Sequence, residues 1–169
     1  MRILILPKCV KPERKSSQGG KVPSHFESRI VPYSTEQLFD LVMSIEDYPE
    51  FLPWCLYAQI NTVAQNNLEA DVVIGYKIFR EQFSSRVYFN PGKSIEVEYL
   101  KGPMRHLHNK WEFKKIRKGQ CQVDFYVDFS MKSKFFEAIV EQFFQRALVK
   151  MIDSFETRAF ELYGVNKRN

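Results

Sequence analysis

The chain has 169 residues, 44% of them hydrophobic and 15% aromatic with fifteen Phe, which suits one domain with a sizeable core and excludes a chain disordered throughout. No apolar run approaches the roughly 20 residues that cross a bilayer as a helix. The net charge of +5 resides in residues 1–24, where six basic side chains stand against Glu13; the rest of the chain balances 19 basic with 19 acidic residues and lacks the electrostatic footprint of a DNA-binding protein.

Residues 1–24 open with a short Ile–Leu run that ends at Pro7 and then turn to Pro, Lys, Ser and Gly. The run is too short for a secretory signal, and Pro7 and Pro12 break the amphipathic helix of an organelle transit peptide, whose basic, acid-poor composition the segment shares. It reads as a basic, disordered extension. The body is expected over 25–164, with a short tail at 165–169.

A first strand is expected over Phe26–Val31, ended by Pro32. Ser34 and Gln37 form a Ser-x-x-Gln capping box that opens a helix through Met43. Ser44 is expected to cap a second, very short helix over Ile45–Glu50. From Cys55 to Met131 the pattern alternates with period two, as in an antiparallel meander, with turns at Asn66-Asn67, Asn90-Pro91-Gly92 and Arg117-Lys118-Gly119. Alternation turns Phe79, Phe83, Val87, Phe89, Leu107, Trp111, Phe113, Cys121, Phe125, Val127 and Phe129 inward. It also turns Glu81, Ser85 and Asn109 inward, with Arg105 near its strand's start. Asp124, Tyr126, Asp128, His106 and His108 point outward. Ser133 is expected to cap the longest helix, Lys134–Tyr163, with Gly164 at its end. At 1.5 Å per residue that helix is roughly 45 Å long. Its apolar face, including Phe136, Phe143, Phe144, Ala147 and Met151, covers a sheet of six to seven strands in an α+β, helix-grip arrangement.

Four stretches carry a family resemblance: VPYSTEQLFDLVMSIEDYPEFLPWC (31–55), FSSRV (83–87), YLKGPMRHLHNKWEF (99–113) and VDFYVDFSMKSKFF (123–136). They resemble the START-like (polyketide cyclase/dehydrase, SRPBCC) superfamily. Within it they are most similar to the coenzyme-Q-binding branch, which also includes the bacterial ribosome-association toxin. The resemblance spans about residues 26–164. It implies ubiquinone (coenzyme Q) or a related isoprenoid lipid held between sheet and helix, and a role in respiration or quinone delivery. It also implies peripheral contact with a membrane, in the bacterial cytoplasm at the inner membrane or on the matrix side of the mitochondrial inner membrane. Some relatives are instead described as inhibitors of ribosomal subunit association; for such a partner the local basic cluster Lys110, Lys114, Lys115, Arg117 and Lys118 is the candidate surface. A cyclase- or aromatase-type enzyme is a third possibility, with Glu81 as the one weak candidate acid.

The expected cavity wall is Phe83, Ser85, Tyr99, Leu107, Asn109, Trp111, Phe125 and Val127 on the sheet, faced by Phe143, Ala147 and Met151 on the helix. Tyr48, Phe51, Leu52, Trp54, Arg105 and Phe136 are expected at the mouth, where the Pro-interrupted segment serves either as a core plug or as a lid. Asn109 or Ser85 is the candidate donor to a quinone carbonyl. Each buried methylene contributes about 0.8 kcal/mol, so a five-carbon isoprene unit contributes up to ~4 kcal/mol with few polar contacts. No catalytic residue is expected, since phosphate-loop, dinucleotide and hydrolase motifs are absent. No metal is expected either: the outward His-x-His lacks a suitably spaced partner. Cys9, Cys55 and Cys121 are widely spaced and read as reduced thiols.

Overall fold

The computed structural model describes residues 24–76 and 79–164, without the side chains of 76, 79, 135, 136 and 138–143. The extension to residue 23, the tail 165–169 and the side chains of Phe79, Phe136 and Phe143 lie outside that description. Strand β1 (Ser24–Val31) leads to helix α1 (Thr35–Met43), a 3-10 turn (Ile45–Asp47) and the one-turn helix α2 (Tyr48–Phe51). Strands β2 (Cys55–Val63), β3 (Asn67–Tyr76), β4 (Phe79–Asn90), β5 (Ser94–Lys101), β6 (Met104–Arg117) and β7 (Gln120–Met131) follow, then helix α3 (Lys134–Tyr163). The seven antiparallel strands form one sheet in the order β1-β7-β6-β5-β4-β3-β2, with α3 against its inner face: the helix-grip α+β fold.

Local chemistry explains the element boundaries. The α1 capping box closes as expected: Gln37 N donates to Ser34 Oγ at 3.2 Å and Ser34 N to Gln37 Oε1 at 2.9 Å. Leu38, Phe39, Leu41 and Val42 are then buried on one side of the helix. Ser44 does not cap a second helix, because its hydroxyl donates back to Asp40 O at 2.9 Å. The expected helix therefore divides into the 3-10 turn and α2, with Pro49 in the first turn of α2. Ser133 makes no side-chain cap for α3. Gly92 and Gly119 carry φ of +67° in the two tight turns that their positions predicted.

The core fills the space between the sheet's inner face and the helices. Val31, Leu38, Leu41, Phe113 and Cys121 join Ala159 of α3 in one cluster, and Phe125, Val127 and Leu148 form a second beside it. Alternation along β7 holds: Cys121, Phe125, Val127 and Phe129 are each at most 7% exposed.

Asp124 faces the other way yet is only 8% exposed, because Ser28, Gln122 and Lys114 cover it. Gln122 Nε2 donates at 2.8 Å and Lys114 Nζ at 2.6 Å. Burial alone would raise the Asp124 pKa, but these hydrogen bonds outweigh it and hold the carboxyl below its ordinary value. With the folded pKa depressed, this contribution is complete above the unfolded value of about 3.9 and is lost as pH falls through the folded value. Asp124→Ala is expected to lower unfolding free energy by about 1–3 kcal/mol at neutral pH and to flatten the acid limb of the stability profile, both read by urea unfolding. A loss under about 0.5 kcal/mol would make the carboxylate an ordinary surface group.

Candidate ligand cavity

The inner face of the central strands has an apolar end and an end that carries polar groups. At the apolar end Trp111 and Phe125 sit opposite each other on β6 and β7 with ring centroids 4.5 Å apart, and Phe155 of α3 stands 5.5 Å from Trp111. A cavity of about 80 Å³ remains there, lined by residues that include Leu38, Leu41, Trp111, Phe113, Phe125 and Ile152. That volume is far below the roughly 300–1,000 Å³ of a site for a drug-sized ligand.

Register places three polar side chains together at that other end. Ser85 on β4 lies directly opposite Tyr99 on β5, and Asn109 on β6 lies opposite Val97, two residues from Tyr99. Ser85 is 3% exposed. Asn109 Oδ1 and Tyr99 Oη are fully shielded from solvent and have no hydrogen-bond partner. Burial raises the Tyr99 pKa, an effect the nearby Met104 backbone offsets in part. Around them stand half-buried Phe83 and Leu107 and buried Val127, while Phe129 meets Phe144 of α3 edge-on at 4.9 Å. Buried polar atoms are normally paired, and one left unpaired costs about 1–3 kcal/mol. The patch can donate through Tyr99 and the Asn109 amide and accept at Asn109 Oδ1. Ala147 and Met151 are half-buried on α3, Met151 against the Phe125 cluster.

The segment from Tyr48 to Trp54 is fastened down. Tyr48 donates to Val42 O, and its ring and that of Phe51 pack edge-on against Phe155 at 5.7 and 5.2 Å. Burial pushes the Tyr48 hydroxyl well above the usual tyrosine range. Arg158 pairs with Glu50 at 2.6 Å and lies 5.6 Å over Phe51, and Lys150 lies 6.0 Å over Trp54. Leu52 packs half-buried against the core. In this arrangement the segment closes the end of the interior.

Arg105 departs from the parity reading. A register irregularity between Met104 and His106 adds a residue to β6, so Met104 is buried and Arg105 is exposed. His106 and His108 lie on the outer face, where Asp128 accepts from His106 and Glu96 faces His108 at 2.9 Å. Among the described residues no group of three or more His, Cys, Asp and Glu side chains could hold a metal ion. Cys55 and Cys121 are free and buried; burial raises both thiols, Cys121 to about 11.

Sequence reasoning missed a charged line on the inner side of β1. Glu27 lies opposite Phe125 and Arg29 opposite Val123, so Glu27 and Arg29 face α3 while Phe26 and Ile30 are 40% and 48% exposed. Arg29 bonds Glu27 and reaches Glu156 of α3 at 2.6 Å, and His25 bonds Glu27 at 3.1 Å. Burial would raise the Glu27 pKa, but Arg29 and His25 together hold it below its ordinary value. These groups edge the small cavity and satisfy one another. The available signal was the pairing of charges: Glu27 and Arg29 share one parity of β1, and Glu156 lies on the helix opposite.

Residues 31–156 match the family described as polyketide cyclase / dehydrase and lipid transport. The chain belongs to this family. Relatives within reach of sequence include ribosome association toxin RatA of Pseudomonas aeruginosa, 33% identical over 81% of this chain and 95% of that protein. Another is the mitochondrial coenzyme Q-binding protein COQ10 of Dictyostelium discoideum, 31% identical over 85% of this chain and 72% of that protein. Among solved structures, the Zhui aromatase/cyclase of Streptomyces sp. R1128 superposes with a TM-score of 0.75 over 88% of this chain and all of that one. At 12% identity that likeness speaks to the fold alone. The relatives of this chain thus include a coenzyme Q-binding protein and a ribosome association toxin.

Proposed function

We propose that this chain binds ubiquinone or a related isoprenoid lipid without chemically transforming it, and serves respiration as a holder or carrier of quinone at the membrane surface. The observation that carries the reading is the pair of shielded, unpartnered atoms, Asn109 Oδ1 and Tyr99 Oη, set in an apolar interior. A quinone ring accepts from Tyr99 and the Asn109 amide, and the reduced ring can donate to Asn109 Oδ1, so one patch serves both oxidation states. An isoprenoid tail needs no further polar contact and follows the Phe and Val wall toward Trp111. The similarity to the Dictyostelium coenzyme Q-binding protein points the same way.

Such a protein works in the bacterial cytoplasm at the inner-membrane surface, or on the matrix side in a mitochondrion, with peripheral membrane contact. No helix among the described residues is long and apolar enough to cross a membrane. Organic extraction of the purified protein followed by mass spectrometry is expected to yield an isoprenoid quinone in amounts comparable to the protein. A quinone-free extract from protein produced in a respiring host would contradict the reading.

A second reading, association with a ribosomal subunit, draws on the RatA relative and on charge at the β6–β7 hairpin. Lys110 and Lys114 are tied to Glu112 and Asp124, which leaves Lys115, Arg117 and Lys118 exposed around the turn. Reversing all three to Glu should abolish any salt-sensitive co-sedimentation with ribosomal subunits. Unchanged co-sedimentation would remove the hairpin from the reading. For a cyclase-type enzyme Glu81 is half-buried and four residues from Ser85 on the same parity of β4, while Glu27, which edges the small cavity, is already paired with Arg29 and His25.

A further inference from the structure

We propose that the gap between β5 and β6 is a polar opening into the interior, passing through the sheet, at which the oxygen-bearing head of the bound lipid meets water. This rests on the quinone reading above and adds where the head lies.

The gap is a matter of register. β5 and β6 pair only from Ser94–Glu112 to Glu98–His108. Continued, that register would set Tyr99 opposite Leu107 and close a tight hairpin. Instead β5 goes on pairing with β4 as far as Lys101 opposite Ser84, and β6 with β7 as far as Met104 opposite Met131. Each strand keeps its far neighbour and loses the near one. Register irregularities fall at the same level on both sides, between Ser84 and Ser85 and between Met104 and His106.

The turn holds the strands apart. Gly102, at φ +137°, packs so closely on β4 that a Cβ there would lie 2.7 Å from Gln82 O and 2.8 Å from Phe83 Cβ. On its other side Lys132 N donates to Pro103 O at 3.1 Å and Lys132 Nζ to Gly102 O at 2.9 Å. The turn is thus tied to β4 and to the end of β7, and β5 is not drawn against β6.

The resulting groove measures about 460 Å³, within the range of small-ligand sites. Its walls combine Tyr99 and Leu107, which belong to the inner face, with Glu98, Arg105 and His108 of the outer face. The groove thus runs along the unpaired edges of β5 and β6, with Tyr99 Oη shielded from solvent beneath it. On the outer rim Tyr88 donates to Glu98 at 3.3 Å, and Glu96 faces His108. Arg105 has no ion pair among the described residues and remains a donor at the rim. From the inside Tyr99 Oη offers the matching unpartnered hydroxyl. Glu96 and Glu98 disfavour a phosphate head, so the ligand class is a neutral ring or chain end with oxygen acceptors.

The test uses full-length protein with Cys9→Ser and Arg105→Cys, loaded with a ubiquinone of two isoprene units and freed of excess by gel filtration. A bulky maleimide is then attached at position 105, where Cys55 and Cys121 do not compete because they are buried. Borohydride reduces the bound quinone, and the loss of quinone absorbance is followed. The adduct is expected to slow reduction by about fivefold or more, as shielding from water does, while the same adduct on Thr62→Cys at the far end of β2 leaves the rate unchanged. Glu98→Cys, on the opposite rim, should repeat the effect of Arg105→Cys. Equal rates with adducts at 62, 98 and 105 would overturn the opening and leave quinone binding standing. Protein that leaves the column without quinone would overturn the binding reading, and the opening with it.

Discussion

Phe155→Ala is expected to lower unfolding free energy by about 3–5 kcal/mol, the largest loss of any single truncation considered. One α3 side chain here joins three parts of the fold. Its ring meets Trp111 of the sheet at 5.5 Å, Tyr48 at 5.7 Å and Phe51 at 5.2 Å. Truncation leaves a hole beside the small cavity already present, and neighbouring aromatic rings cannot collapse into it without leaving their edge-on geometry. The segment from Tyr48 to Trp54 would then keep the Tyr48–Val42 hydrogen bond, the packing of Leu52 and the Arg158–Glu50 pair, which is partly exposed and contributes at most about 1 kcal/mol. Val149→Ala, on the outer side of the same helix at 56% exposed, should change stability by less than about 0.5 kcal/mol. Urea unfolding of both variants checks the contrast. A Phe155→Ala loss below about 1 kcal/mol would mean that the segment is a loosely attached lid rather than a plug.

Asn109→Leu is expected to move stability and ligand affinity in opposite directions. In the empty protein the Asn109 carbonyl oxygen is shielded without a partner, so a leucine, branched at the same carbon though larger, removes a desolvation cost and should stabilise the fold by about 1–2 kcal/mol. The same change removes a hydrogen-bonding group from the head site and should weaken quinone binding by about tenfold or more. Tyr99→Phe should behave alike, because its hydroxyl is also unpartnered. A side chain that is costly when the site is empty and useful when it is full distinguishes a binding residue from a structural one. Thermal unfolding without ligand, alongside binding of a short-chain ubiquinone, measures both effects. Destabilisation with unchanged affinity would place Asn109 in the structure and outside the site.

The strands and α3 were legible in the sequence because the period-two run and the long apolar stripe each admit one reading, and the turn glycines punctuate them. The inward faces of β4, β6 and β7 followed from alternation, including Ser85 and Asn109. Three features were not legible. The parity of β1 is set by its pairing with β7 and by Arg29 reaching Glu156, and composition alone would have turned Phe26 and Ile30 inward. Arg105 is displaced by an irregularity in pairing, which leaves no mark on local sequence. The gap between β5 and β6 depends on where Gly102 packs and what Lys132 bonds, both long-range contacts. Asp124 shows the same limit on a smaller scale: its strand position is outward, and only neighbouring strands bury it.

Occupancy of the interior is tested most directly by titrating Trp54→Phe protein with a ubiquinone of two isoprene units while following Trp111 fluorescence, because Trp111 stands on the cavity wall. The expected result is saturable quenching at one equivalent, with the midpoint shifted by about tenfold or more in Asn109→Leu. Quenching that never saturates, or that is identical in the two proteins, would contradict a quinone site between the sheet and α3.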